Sequence, residues 1–366
     1  EYDPDTFRGK VVYCNCDDPF ESNFFRYFVL NFKRLGLKQL ITTSYKPSPV
    51  ANTQLVLFGD DKTLTKSKVR PKITANKFII NEVHDIDGDG EFNLQDVADQ
   101  LKVNKNNEWM PLIGDVDFRS NECINLLIQS DIVVTNPPFS LFREYVKQLF
   151  DYIKKFVIIG NINAITYKEV FVKIKGNKIW LGATNFNTGM YFKVPESFTY
   201  AETYKFERER NGEKVNRVPG VCWFTSLDHG RRHQPLPLMT MEENLRYSKH
   251  KEIKGKKAYD KYDNYDAIEV SFADAIPSDY PGTMGVPITF LDKYNPDQFE
   301  IVGMCENEDL YKQKTKVNKS VECKQAYLDK FGKKGTYDLN ASGVIIKNGL
   351  LEKVYQRILI THKKKI

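Results

Sequence analysis

The chain has 366 residues, 41% of them hydrophobic and 13% aromatic, which allows two domains or one enlarged one and excludes a disordered or low-complexity protein. No stretch approaches the roughly 18 uninterrupted apolar residues of a membrane-spanning helix, and residues 1–10 lack the charged-then-apolar order of a secretory signal, so a cytoplasmic protein is expected. The net charge of +6 is uneven: residues 1–160 carry 20 Lys and Arg against 22 Asp and Glu, residues 161–366 carry 34 against 26, and the second half is the expected face for a polyanion.

From residue 10 onward short apolar runs alternate with helical patterns, the rhythm of an α/β sheet with helices on both faces. Residues 10–15 read as the first strand. Ser22 reads as the N-cap of a helix that carries Phe25, Phe28, Val29 and Phe32 on one stripe and closes near Gly36. Residues 38–45, rich in β-branched side chains, make a second strand. An insertion at about 46–110 interrupts the rhythm, with strand-like runs at 54–58 and 77–83 and a helical run at 94–101. The alternation then resumes: a helix capped by Ser120, a strand at 131–135, a helix at 141–153, a strand at 156–160, a helix at 167–174 and a strand at 178–182. Residues 190–194 and 221–225 read as an antiparallel pair closing the sheet. Prolines at 235, 237, 277, 281, 287 and 296 break the periodicity, so residues 236–366 are expected to form a mixed, loop-rich domain after a first domain at 1–235.

The segment that carries chemistry is the apolar run from Asp131 to Thr135, which leads straight into Asn136, Pro137, Pro138 and Phe139. Two consecutive prolines have fixed φ and no N–H, so the corner is rigid and its carbonyls are left to accept hydrogen bonds. The Asn136 oxygen and the Pro137 carbonyl could take both hydrogens of a planar amino group, and Phe139 offers a face for a flat heterocycle. Such a clamp favours a pyramidal nitrogen whose lone pair is free to attack a methyl carbon in line.

These residues resemble those of the EcoRI-type adenine-specific DNA methyltransferases, within the Rossmann-like methyltransferases. The likeness runs through residues 12–19, 22–24, 27–28, 114–120, 131–142, 159–166, 178–182, 220–225, 276–277 and 284–290, nearly the whole chain. It implies a Rossmann-like methyltransferase sheet, with residues 1–235 binding S-adenosylmethionine and residues 236–366 recognising a double-stranded DNA target. It further implies methyl transfer to the exocyclic N6 of a flipped-out adenine, as the modification half of a restriction–modification system with a cognate endonuclease. Cys16, Asp17, Asp18 and Pro19 take the place of the first cofactor motif, here without glycine, and Ser22 caps the helix that follows. Thr43 and Ser44 fall where related folds carry a ribose-binding acid. Asp117 and Phe118 match the pair that contacts the cofactor adenine, with Asp115 a rival, and Asn136 joins the cofactor site. Arg231, Arg232, Lys254, Lys256 and Lys257 are the candidate DNA contacts.

Other patterns point less far. Asp85, Asp87, Asp89 and Asp96 fit a calcium-binding loop, although the run before them reads as a strand, and an acidic insertion loop is the simpler reading. The six cysteines contain no CxxC pair, and His229 with His233 is an incomplete ligand set, so no structural metal is expected. The Asn-Pro-Pro corner by itself also fits methylation of RNA or of a protein glutamine, and the fold alone fits a non-catalytic DNA-recognition subunit.

Overall fold

Four consecutive apolar residues, all buried, make β1 (Val11–Cys14) an interior strand, since only a strand covered on both faces can bury every side chain. The computed structural model describes residues 3–16, 22–44, 76–85, 88, 96, 99, 106–112, 117–184 and 189–363. The other strands around β1 are β2 (Gln39–Thr43), β3 (Asn76–Ile80), β4 (Glu108–Pro111), β5 (Ile132–Thr135) and β6 (Lys155–Asn161). β1 pairs in parallel with β2 on one side and β5 on the other, and β5 pairs in parallel with β6. β3 and β4 extend the sheet antiparallel beyond β2, so the described parts of the expected insertion add to the same sheet. The runs at 54–58 and 100–101 lie outside the described residues, as does most of 94–99.

Helices cover both faces, as the alternating pattern requires. Helix Asn23–Leu30 lays Phe25, Phe28 and Val29 on Val12, Cys14, Leu40, Ile132 and Val134. Ser22 caps it, its Oγ accepting from the N–H groups of Phe24 and Phe25, a contribution of about 1 kcal/mol. Tyr13 points to the opposite face, its hydroxyl 3.1 Å from Thr43 Oγ1 and in contact with Cys123 of helix Asn121–Gln129. The result is the Rossmann-like methyltransferase sheet.

Strand Val221–Thr225 runs antiparallel to β6, pairing Cys222 with Gly160. Strand Met190–Lys193, expected to pair with it, instead joins a separate three-stranded sheet with Glu213–Val218 and Glu209–Arg210. The charged run at 213–218 hides its strand character from the hydrophobic pattern, yet it supplies the partner that diverts Met190–Lys193 from the main sheet.

The chain forms two compact units, Glu1–Val170 with Thr184–Asp228, and Phe171–Ala183 with His229–Ile366. Residues 171–183 and 229–235 therefore group with the second unit rather than with the first domain at 1–235. The first unit carries 27 Lys and Arg against 29 Asp and Glu and the second 27 against 19, so the whole positive surplus lies in the second. That unit is built on a four-stranded sheet in the order Ala267–Glu269, Thr283–Pro287, Arg357–His362, Phe299–Met304. A buried ion pair spans it: Glu269 accepts from Arg357 Nη2 at 2.6 Å and from the Tyr262 hydroxyl. Among the described residues no helix is long and apolar enough to cross a membrane.

Two substitutions probe these cores. A Cβ on Gly160 would stand 2.6 Å from Phe142 and 2.8 Å from Phe224, so Gly160→Ala should lower stability by about 1–3 kcal/mol in urea unfolding. Glu269→Ala should remove about 3–5 kcal/mol from the second unit, measured the same way, because it strands the Arg357 charge.

Candidate active site

The strand order turns at β1, with β2 and β5 on its two sides, and crevices for ligands form at the C-terminal ends of such strands. Those ends carry Asn15 and Cys16 after β1 and Asn136 after β5. The Thr135 hydroxyl donates to the Asn15 carbonyl and ties the two ends together. Cys16 then turns the chain with φ 63°, the left-handed conformation that glycine adopts without penalty, and its Sγ donates to Asn15 Oδ1 at 2.6 Å. A turn that a glycine would ease is thus made here without one. Asp17, Asp18 and Pro19 lie outside the described residues, as does Asp115.

At the neighbouring strand end the corner has the form its prolines dictate. Pro137 is buried and Pro138 half-buried, while Asn136 and Phe139 are exposed, the Phe139 ring at 40%. The Pro138 carbonyl accepts from the Leu141 N–H at 3.0 Å, closing a single 3₁₀ turn over Phe139–Leu141. Among the described residues, no donor reaches the Pro137 carbonyl and nothing bonds the Asn136 carboxamide. Both acceptors of the expected clamp are open.

Asn136 lines a cleft of about 870 Å³, at the upper end of the roughly 300–1,000 Å³ typical of ligand sites. Ser22, Asn23 and Phe24, from the start of the capped helix, form one part of its wall. Trp223 and Ile159 add apolar surface, and the Phe24 and Trp223 rings meet edge to face at 5.8 Å. Tyr191, Phe192, Arg210 and Arg217 reach it from the three-stranded sheet. None of these last six was expected from sequence as a site residue. Trp223 had one available signal, its place in a strand antiparallel to β6, but which of its faces meets the cleft is a matter of register.

Other expected site residues have different positions. Thr43 and Ser44 are almost wholly buried; Thr43 is held by Tyr13, and Ser44 Oγ accepts from the Asn76 N–H at 2.8 Å. The Thr43 hydroxyl thus ties the end of β2 to β1, and the Ser44 hydroxyl ties it to β3. Phe118, 3% exposed, packs edge-on against Tyr145 at 5.0 Å, so its ring offers no open face to an adenine. Asp117 is gripped by Arg119, which also pairs with Glu144 at 2.6 Å, and this holds the Asp117 carboxyl below its usual range. Next to the corner, though not among those expected residues, Phe142 packs against Phe224 at 5.1 Å, and the Asn161 side chain accepts from the Asn163 N–H at 2.9 Å.

Within the second unit, Arg231 binds the Ala183 carbonyl and the Asp292 carboxylate, and Arg232, 9% exposed, stacks on Trp180 at 3.1 Å. Both hold the segment 180–183 in place instead of presenting charge to a polyanion. Lys254, Lys256 and Lys257 are exposed, Lys256 bonding Asp260 at 2.6 Å. Of the calcium-loop positions, Asp87 and Asp89 lie outside the described residues, Asp96 is buried, and Asp85 accepts from the Gly88 N–H at 2.7 Å.

The corner thus presents an open pair of acceptors in a Rossmann-like sheet beside a large aromatic cleft. Comparison with known proteins carries this further. The family model described as adenine-specific methyltransferase EcoRI matches residues 1–363, and the chain belongs to that family. It is 45% identical over 304 residues to the type II methyltransferase M.EcoRI of Escherichia coli, covering 82% of this chain and 81% of that protein. It is 35% identical over 305 residues to the type II methyltransferase M.MpnI of Mycoplasma pneumoniae, covering 83% and 78%. No solved structure matches.

Two variants test the local geometry. Cys16→Gly should fold with unchanged or slightly higher stability, whereas Cys16→Val should lose about 1–2 kcal/mol in thermal unfolding, since a branched residue is penalised at positive φ. Because the folded Asp117 carboxyl titrates below its unfolded value, its contribution is present above about pH 4 and is lost as pH falls through the folded value. Asp117→Asn should therefore lose at most about 1 kcal/mol at neutral pH, and unfolding curves of the two proteins should converge in strong acid.

Proposed function

We propose that this adenine-specific DNA methyltransferase takes its methyl group from S-adenosylmethionine and delivers it to N6 of an adenine rotated out of the duplex into the cleft beside Asn136. The observation that carries this reading is the pair of open acceptors, the Asn136 oxygen and the Pro137 carbonyl, at the lip of a cleft large enough for two ligands. Burial of Pro137 and the fixed φ of Pro138 hold both oxygens in place before substrate arrives, so little reorganisation accompanies reaction.

The residues present fit the cofactor. Ser22, Asn23 and Phe24, at the start of helix Asn23–Leu30, line the cleft, and Cys16 begins the turn that leads toward them. When bound, S-adenosylmethionine supplies an electrophilic methyl group on a sulfonium sulfur. The chain's own part is positional: Asn136 Oδ1 and the Pro137 carbonyl accept the two amino hydrogens and turn the nitrogen lone pair out of the purine plane, while Phe139 covers a ring face. Family membership favours DNA over the RNA and protein substrates that the same corner could serve. The second unit, with its surplus of eight positive charges, is the part we assign to holding the duplex, and a cognate restriction endonuclease is the partner we assign to it in the cell.

Asn136→Ala should reduce incorporation of labelled methyl into unmethylated genomic DNA by at least about a hundredfold, while calorimetric titration still finds S-adenosylmethionine bound. A variant with wild-type transfer would remove the clamp from the reaction.

A further inference from the structure

Positive charge is spread unevenly over the second unit. Residues 312–334 carry eight lysines against two carboxylates, so six of that unit's eight surplus charges fall in one short stretch. Its centre is helix Ser320–Phe331, about 18 Å long. The helix starts where the Glu322 carboxylate accepts from the Lys319 N–H at 2.6 Å, and it stops at Gly332 with φ 66°.

Small residues dock this helix on its neighbours. Cys323 and Ala326 are buried with Leu339 and Val344, the last in a hairpin of strands Val344–Lys347 and Leu350–Lys353, and Lys330 donates to Glu352 of that hairpin at 2.8 Å. At about 3.6 residues per turn the opposite stripe is Val321, Lys324, Gln325 and Leu328. All four are exposed, Val321 at 76% and Leu328 at 42%. Three of the eight lysines are held inside the fold: Lys314 donates to the carbonyls of Glu306 and Asn307, Lys316 to Asp263 and Lys330 to Glu352. Lys324, Lys333 and Lys334 are exposed and bond no other described residue. Gln325 gives one amino hydrogen to Asp329 at 2.7 Å, which leaves its carbonyl oxygen and second hydrogen for a ligand.

This stripe joins unbonded cations to bare aliphatic side chains on a convex rod. The major groove of a duplex has the complementary pattern, with base edges and thymine methyls between two anionic backbones, and its width of about 12 Å admits a helix. We propose that helix Ser320–Phe331 enters the major groove of the substrate DNA. Lys324 and Gln325 read base edges, Val321 and Leu328 cover thymine methyls, and Lys333 and Lys334 hold the phosphate backbone just past the end of the helix. Lys324 only donates, which suits the two acceptors of guanine; Gln325 donates and accepts, which suits adenine. The proposal rests on the assignment of the second unit to the duplex and narrows it to one element.

The test uses the full chain, unmethylated bacterial genomic DNA and tritiated S-adenosylmethionine. Lys333→Ala combined with Lys334→Ala should raise the half-saturating DNA concentration about tenfold at physiological salt. It should also make the dependence of log DNA affinity on log salt, measured by filter binding, shallower by about two, without changing which adenines are methylated. Lys324→Ala and Gln325→Ala should each admit sites that differ at one base pair, lowering the preference for the wild-type base there at least about tenfold when methyladenine is mapped by sequencing. All of these side chains are exposed, so urea unfolding midpoints should match wild type. Unchanged DNA affinity and site choice in these variants would overturn the proposal. A loss of affinity in Lys324→Ala and Gln325→Ala with site choice intact would overturn it as well, because the helix would then touch backbone alone. Lys254→Ala combined with Lys257→Ala, in the same unit but outside the helix, separates the two levels. If that variant weakens DNA binding and the helix variants do not, only the helix assignment fails; if none of them does, the assignment of the second unit to the duplex fails with it.

Discussion

The whole site depends on two parallel strands, β1 and β5, ending side by side and being held there. Parallel strands joined by crossover helices must be buried on both faces, and that burial makes their ends rigid. The Thr135 hydroxyl bonded to the Asn15 carbonyl then removes the remaining freedom between them. One end turns through Cys16, and the other stops at a double proline. Were either strand at an edge, the same residues would have no fixed separation, and the clamp proposed above would lose its geometry.

The corner after β5 shows how little the proposed reaction would ask of the chain. No side chain in it has to ionise. Two oxygens with open lone pairs and one exposed ring suffice, provided they do not move, and prolines supply that stiffness through their rings rather than through added contacts. The cleft wall follows the same economy. Trp223 and Phe24 brace each other edge to face, and the arginines of the three-stranded sheet lie on aromatic rings, so groups that would otherwise sample many rotamers are held by packing.

Charge divides between the units in a way that size and composition alone do not reveal. The first unit is slightly negative overall, although the charged side chains that line its cleft among the described residues are two arginines, while the second carries the surplus. Not every cation there faces outward. Arg231, Arg232 and Arg357 are consumed by internal partners, because a guanidinium that bridges carbonyl, carboxylate or indole can stiffen a loop-rich region with little regular structure.

Much was legible in sequence. Alternating apolar runs fixed the α/β class, the Phe25, Phe28 and Val29 stripe fixed the buried face of the first helix, and Ser22 its start, because periodicity and capping are local properties. Asn136 through Phe139 declared itself for the same reason: proline stiffness is written in the residue. The tertiary structure alone decided which side chains share the cleft. Phe118 and Asp117 look like ligand contacts in sequence but face Tyr145 and Arg119, while Trp223, Tyr191, Arg210 and Arg217 come to the cleft from strands whose partners the pattern could not name. Strand pairing and register are set by contacts distant in sequence, and a shift of one residue turns every side chain to the other face, so no local reading can supply them.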